Sequence, residues 1–292
     1  MDTESIIKAG KIAGEVKAWI KPQIKKGDKL LDIADKIENK IIELGGFPAF
    51  PTNLSINEQA AHYTPTWNDE SLAYGLIKVD FGVHVNGWVA DNAFSLDLEG
   101  TEENKKLIEA AELALENVEK NIKSELTIGE LGEIIENSIN SYGFNSIANL
   151  SGHSMEQYNL HAGTSVTNTA NNSTKKFGTG LYASEPFATN GNGCVHDGTK
   201  GNIYAFIQDK QPRSKEAREI LEFIKDEFGE LPFASRWVVK QFGNKSRISL
   251  MQMEREGILH HYAILTEAKG KLVSQAENTF LVSPESVICT SK

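Results

Sequence analysis

Two aspartates lie in otherwise apolar segments on either side of a strong turn signal, in the stretch KVDFGVHVNGWVADNAFSLDL (78–98). Asn86-Gly87 is the dipeptide most typical of a two-residue β-hairpin turn. Such a turn brings Asp80 and Asp91 to one face of the hairpin as diagonal neighbours, with Cβ atoms at most about 7–8 Å apart. Two carboxylates that face one space repel each other unless a proton or a cation lies between them. A pair of divalent ions about 3.5–4 Å apart would fit that gap, but a capped or solvent-facing aspartate on each strand explains the hairpin equally well.

Three further residues decide between these interpretations. His153 follows a glycine in NLSGHSM, Glu185 precedes a proline in the strand-like GLYASEPFAT, and Glu277 lies inside the β-like run KLVSQAENTFLV. Each alone is more often a satisfied or surface residue. Together with the two aspartates they form a set of four carboxylates and one imidazole, which suits hard or borderline divalent metals. Four negative charges balance two dications, which indicates a dinuclear metal site.

Apolar residues at helical spacing predict four helices before residue 145. They cover residues 2–20, about 30–44, about 102–124 and 127–143. Thr127 and Glu130 give the last of these a capping-box pattern at its start. Residues 47–69, rich in proline and asparagine, are predicted as a loop.

The second half of the chain is β-rich apart from one helical block. Residues 145–207 are predicted as strands and loops, and the final segment includes a strongly β-like run over 271–282. The order of elements predicts an α+β fold. We expect a catalytic domain over 1–207 and 259–292, with a helical insertion subdomain over 208–258.

Composition limits the function classes. The 292 residues carry a formal net charge of −10 and are 40% hydrophobic, which is ordinary for a globular protein and argues against a nucleic-acid or anionic-membrane binder. Cys194 and Cys289 are the only cysteines, so no disulfide framework is indicated. We expect a cytoplasmic monomer with no membrane segment and no sequence-specific nucleic-acid partner.

Four stretches, VDFGVHVNGWVADNAF, NLSGHSMEQYNLHAG, LYASEPFATNGNGCVHD and VSQAENTFLV, occur in an order that resembles the methionine aminopeptidases. AFPTNLSINEQAAHYTP is similar to the type 2 branch of that family. The resemblance implies a pita-bread fold, an α+β arrangement of the creatinase/aminopeptidase kind with pseudo-twofold symmetry around a two-metal centre. It implies the same ligands as the residues themselves suggest: Asp80, Asp91, His153, Glu185 and Glu277. The helical block between the two glutamates matches the insertion of the type 2 branch.

The resemblance also implies roles for residues outside the ligand set. His161 would stabilise negative charge on the scissile carbonyl oxygen, with His62 assisting and contacting the substrate. Glu185 would pass a proton to the leaving amine. The pocket for the methionine side chain would consist of apolar and aromatic residues, namely Phe50, Leu160, Phe187 and Tyr262; without the resemblance these four are ordinary core residues.

The implied activity is removal of the initiator methionine from nascent polypeptides with a small second residue, using two divalent ions. Cobalt, manganese, iron and zinc all remain open as the metal, and transient ribosome association is a further expected partnership. Two alternatives stand beside this hypothesis. One is an Xaa-Pro dipeptidase or aminopeptidase of the same fold; the other is a non-catalytic pita-bread protein that binds RNA or ribosomes. The sequence contains no Walker A, H-E-x-x-H or G-x-S-x-G motif that would indicate other chemistries.

Overall fold

The computed structural model describes all 292 residues, in seven helices and sixteen strands. The helices are α1 (Thr3–Ile20), α2 (Leu30–Glu43), α3 (Glu102–Asn121), α4 (Ile128–Asn140), α5 (Lys215–Phe228), α6 (Ser235–Phe242) and α7 (Ser246–Arg255). The first eight strands are β1 (Phe47–Pro48), β2 (Asn53–Ile56), β3 (Gln59–Ala61), β4 (Leu76–Val85), β5 (Trp88–Asp97), β6 (Asn145–Ser146), β7 (Ser151–Met155) and β8 (Ser165–Thr167). The others are β9 (Gly180–Ser184), β10 (Phe187–Thr189), β11 (His196–Phe206), β12 (Phe233–Ala234), β13 (Leu259–Thr266), β14 (Val273–Gln275), β15 (Asn278–Val282) and β16 (Val287–Cys289). None of the helices combines the length and the apolar character that crossing a membrane requires.

The four helices predicted before residue 145 are confirmed, and side-chain caps at Asp2, Thr101 and Thr127 explain the starts of α1, α3 and α4. The Thr127 side chain accepts from the backbone N–H of Glu130, whose carboxylate in turn accepts from the N–H of Thr127. This capping box satisfies two N–H groups that have no partner within α4.

The predicted hairpin is confirmed as the pair β4–β5. Its turn residues Asn86 and Gly87 have φ values of 51° and 81°, as a two-residue turn with positive φ at both positions requires. The register pairs Asp80 with Ala93 and Asp91 with Gly82. Both aspartates therefore lie on one face, as the sequence predicts.

Two similar layers build the molecule. In the first, α1 and α2 pack on the sheet containing β4 and β5 through a buried aliphatic cluster. In the second, α3 and α4 pack against strands that include β10 and β14, around a second cluster. The layers meet where Ala93 and Glu277 form an antiparallel bridge. This repetition of a helix pair on strands accounts for the expected pseudo-twofold arrangement.

One prediction about local structure is wrong, and one is refined. The segment 47–69 is not only a loop, because it contains β2 and β3; β2 is fully buried and pairs with β4. The β-like run 271–282 forms two strands with a break at Ala276–Glu277: β14 pairs with β10, whereas β15 pairs with β9 in another sheet. Tertiary pairing determines both features, so local composition did not reveal them.

The helical block after residue 208 is confirmed as α5, α6 and α7. These helices surround their own apolar cluster, which also includes Tyr204 and Leu259 from the flanking strands. The short strand β12 lies within the block and pairs with β11. The subdomain boundaries at 208 and 258 stay a prediction.

Candidate metal centre and active site

The five predicted ligands lie together in one cavity of about 350 Å³. Asp80 and Asp91 project from β4 and β5, and His153 projects from β7. Glu185 lies between β9 and β10, and Glu277 lies between β14 and β15. Both glutamates thus occupy the short breaks where the chain passes from one sheet to another.

The distances among the acidic and imidazole groups suit a shared cation. Asp91 Oδ2 lies 3.5 Å from His153 Nε2. Ligand atoms of Asp91, His153 and Glu277 all lie within 4.8 Å of one another. Glu185 approaches this trio through Gln275, whose Nε2 donates to Glu185 Oε2 at 3.3 Å and to Glu277 Oε2 at 3.4 Å.

Burial makes ionisation of this cluster costly in the absence of a cation. Burial raises the pKa of Asp91 to about 7. Burial and the neighbouring Asp91 charge raise the pKa values of Asp80, Glu185 and Glu277 well above their usual range. Burial also lowers the pKa of His153 to about 4, so this imidazole is neutral and can act as a metal ligand at neutral pH.

The donor set fits divalent metal ions. Asp80 Oδ1 and Asp91 Oδ1 are buried and have no hydrogen-bond partner, although an unpaired buried carboxylate oxygen is costly. A cation beside them would remove that cost and the mutual repulsion together. Asp91, His153 and Glu277 have their ligand atoms closest together, and Asp80 and Glu185 line the same cavity.

The two predicted active-site histidines line the same cavity. The His161 ring lies 4.5 Å from the His153 ring, and burial together with the His153 neighbour lowers the pKa of His161 to about 4. His62 has a φ of 69°, a strained value for a residue with a side chain. Its Nδ1 lies 3.1 Å from the carbonyl oxygen of Ala263, and burial lowers its pKa to about 4. Because a carbonyl can only accept, His62 Nδ1 carries the hydrogen and Nε2 is left as an acceptor.

The four predicted pocket residues also contact this cavity. Phe50, Leu160 and Phe187 are buried, and Tyr262 packs edge-on against His62 with ring centroids 5.3 Å apart. The cavity therefore has an apolar side next to its acidic side.

The glycine opposite Asp91 in the hairpin has a packing reason. A Cβ placed on Gly82 would lie 2.4 Å from Cε1 of Phe50, closer than atoms of a folded protein approach each other. Gly82 therefore leaves room for the aromatic ring against the hairpin that carries the aspartates.

Sequence reasoning missed two residues of the site. Gln275 bridges both glutamates, as described above, and it lies two positions before Glu277, a spacing that places two side chains on one face of an extended chain. Thr279 lies two positions after Glu277; its Oγ1 accepts from the N–H of Asp91 at 2.7 Å and donates to the Asp91 carbonyl at 3.0 Å. The sequence pattern that indicates both residues is a polar side chain two positions before and two positions after the predicted ligand Glu277.

A larger cavity, of about 990 Å³, lies between α2 and the helices α5 and α6. It contains none of the predicted site residues. The acidic and imidazole side chains that line the smaller cavity, and not cavity size, therefore identify the site.

Comparison with known proteins defines the class. Residues 4–201 match the model of metallopeptidase family M24. The chain belongs to metallopeptidase family M24.

Two relatives that align with this chain over nearly their whole length are methionine aminopeptidases. The chain is 44% identical over 292 residues to a methionine aminopeptidase of Methanocaldococcus jannaschii, covering 99% of this chain and 98% of the relative. It is 45% identical over 296 residues to a methionine aminopeptidase of Thermococcus onnurineus, covering 99% of both.

Solved structures confirm the pita-bread fold. The crystal structure of the Thermotoga maritima methionine aminopeptidase matches with a TM-score of 0.71 at 20% identity, covering 99% of this chain and 96% of that one. The Rickettsia prowazekii methionine aminopeptidase matches with a TM-score of 0.71 at 17% identity, covering 100% and 97%. A thermophilic Arx1 matches with a TM-score of 0.84 at 14% identity, covering 98% and 89%. The α+β fold expected from the sequence is thereby confirmed.

Proposed function

We propose that this metallopeptidase is a methionine aminopeptidase of the type 2 branch, which removes the initiator methionine from newly made polypeptides that have a small second residue. One observation carries the proposal: a cluster of four carboxylates and one imidazole shares a cavity with an apolar pocket. Full-length relatives at 37–45% identity with the name methionine aminopeptidase support the activity. The helical block between Glu185 and Glu277 supports the type 2 branch.

In this proposal the five acidic and imidazole side chains hold two divalent metal ions. The ligands are Asp80, Asp91, His153, Glu185 and Glu277. Such ions supply Lewis-acid activation of water and of the scissile carbonyl. Gln275 and Thr279 fix the orientation of the ligands, because each forms hydrogen bonds to a ligand residue.

The remaining polar groups act on the substrate. His161 donates a hydrogen bond to the carbonyl oxygen as negative charge develops there. The lowered pKa keeps His161 neutral, so one ring nitrogen donates without an extra charge in the site. His62 accepts from the substrate through Nε2, because its Nδ1 is engaged by Ala263. Glu185 takes a proton from the attacking water and passes it to the leaving amine.

The apolar side of the cavity receives the methionine side chain. An unbranched thioether adapts to the space among aromatic and aliphatic groups, here Phe50, Leu160, Phe187 and Tyr262. The substrate amine then lies at the acidic side of the cavity. This placement of the free amine beside the metal ligands explains cleavage of only the first residue.

Assembly and location are part of the proposal. We infer a cytoplasmic monomer whose partners are the N-termini of nascent chains, with transient ribosome association. We also propose residues 208–258 as an insertion subdomain, which the apolar cluster of α5–α7 supports. Sedimentation of the purified chain and co-sedimentation with ribosomes test these inferences; a stable dimer, or no ribosome-bound fraction, would contradict the corresponding one.

Peptide hydrolysis after chelation and re-addition of single metals tests the activity. The expected result is metal-dependent cleavage of Met-Ala peptides and no cleavage of Ala-Pro peptides, which represent the Xaa-Pro substrates named for a dipeptidase that shares the fold. Asp91→Ala and Glu277→Ala should abolish turnover, whereas the exposed His196→Ala should retain most of it. Cleavage of Ala-Pro alone would favour a prolidase. Absence of all hydrolysis with every metal would favour a binding protein.

A further inference from the structure

One lysine reaches the back of the metal site from a helix. Lys17 of α1 places its Nζ 3.0 Å from Asn92 Oδ1 and 3.5 Å from Asn278 Oδ1. Asn92 directly follows the ligand Asp91, and Asn278 directly follows the ligand Glu277. The ammonium therefore contacts both residues that adjoin two of the ligands in the chain.

The two asparagines face away from the cavity. Successive side chains of an extended chain project to opposite sides, so Asn92 and Asn278 face α1 while Asp91 and Glu277 face the cavity. The packing of α1 on β5 places this helix directly behind the ligands. Lys17 contacts the reverse side of the same short segments.

These segments belong to different halves of the fold, and the Ser95 hydroxyl joins the halves by donating to the carbonyl of Gln275 and accepting from its N–H. Ala93 and Glu277 exchange backbone hydrogen bonds of 3.4 and 3.1 Å, and the Thr279 hydroxyl binds both backbone groups of Asp91. Lys17 adds a connection between them that is made through side chains only. Its removal leaves the Asn92 amide oxygen without a donor in a fully buried position.

The position of Lys17 and not its charge accounts for the effect on metal binding. A positive charge near the carboxylates by itself repels a divalent cation, so the gain in metal affinity comes from the two hydrogen bonds that hold Asn92 and Asn278 in place.

We propose that Lys17 is a positioning residue that joins the Asp91 and Glu277 segments across the two halves of the fold and thereby strengthens metal binding. This inference rests on the proposed ligand roles of Asp91 and Glu277. Lys17 does not reach the cavity, so it acts through Asn92 and Asn278. Residues that orient metal ligands in this way are typically worth 10–100-fold in metal affinity.

Calorimetric titration of the chain with Mn²⁺, after a chelator has removed any bound metal, tests the proposal. Lys17→Met removes the charge and both hydrogen bonds at similar volume, Lys17→Arg keeps a charged donor, and Lys11→Met changes an exposed lysine of the same helix. The expected Kd for Mn²⁺ rises about tenfold in Lys17→Met, recovers largely in Lys17→Arg and stays at the wild-type value in Lys11→Met. Circular dichroism confirms that each variant is folded.

A wild-type Mn²⁺ affinity in folded Lys17→Met would overturn the inference and leave the proposed function intact. Absence of Mn²⁺ binding in the wild type would instead refute the proposed metal site, and the role of Lys17 with it. If Lys17→Met does not fold, Asn278→Ala carries the test, because it removes one of the two acceptors and keeps the lysine. Weaker Mn²⁺ binding by Asn278→Ala supports the inference, and an unchanged Kd overturns it.

Discussion

Neutralising one buried carboxylate should stabilise the metal-free protein. Asp91 is 3% exposed, and burial raises its pKa from 3.8 to about 7. The folded state thus binds the Asp91 proton more tightly than the unfolded state does. The stability that this tighter proton binding contributes is complete below about pH 3.8 and is lost as the pH rises towards 7. Asp91→Asn removes this loss because its side chain is neutral at every pH.

The size of the gain in free energy of unfolding follows from the pKa shift of Asp91. At about 1.4 kcal/mol per pKa unit, Asp91→Asn should raise the free energy of unfolding by about 4 kcal/mol at pH 8 and by less than half of that at pH 5.

Urea unfolding of chelator-treated protein at the two pH values measures the gain directly. Asp226→Asn, at an exposed position, is the matched control, and it should change the free energy of unfolding by less than about 0.5 kcal/mol. Mn²⁺ at about 1,000 times its Kd stabilises the wild type by about 4 kcal/mol. Its addition should therefore remove the difference in free energy of unfolding between the wild type and Asp91→Asn at pH 8. A folded Asp91→Asn variant that is no more stable than the metal-free wild type at pH 8 would refute the reasoning.

Three further predictions concern catalysis, the pocket and the insertion. His161→Gln should lower kcat for a Met-Ala peptide about 10²–10³-fold with Mn²⁺ affinity unchanged; steady-state kinetics and calorimetry check this, and an unaltered kcat contradicts the role of His161. Gly82→Ala should raise KM for Met-Ala peptides about tenfold, because its Cβ displaces Phe50; a KM equal to that of the wild type would show that the ring adapts. Arg236→Met should lower the free energy of unfolding by about 3–5 kcal/mol in urea, because it leaves the buried Glu38 carboxylate without its cation; a loss below 1 kcal/mol would show that Glu38 is satisfied by its other partners.

The hairpin and its aspartates were predictable because local signals determine them. Asn86-Gly87 specifies the turn, and period-two alternation then places Asp80 and Asp91 on one face in the observed register. The capping pattern at Thr127 likewise specified the start of α4. In each case the decisive interactions join residues that are near one another in sequence.

Features that depend on distant partners were not predictable in this way. The break at Glu277 arises because its backbone pairs with Ala93, more than 180 residues earlier, and no local pattern encodes that pairing. The contacts of Gln275 with both glutamates likewise arise only once β9–β10 and β14–β15 are assembled. The contacts of the Lys17 Nζ with Asn92 and Asn278 also join residues that are far apart in sequence, and no local pattern indicates them.

The dinuclear metal centre is the central claim, and anomalous diffraction from crystals soaked in Mn²⁺ tests it most directly. The account predicts two peaks about 3.5–4 Å apart in the cavity, both contacted by the five acidic and imidazole side chains. The residues involved are Asp80, Asp91, His153, Glu185 and Glu277. A cavity with no peak, in crystals that bind Mn²⁺ elsewhere, would contradict it.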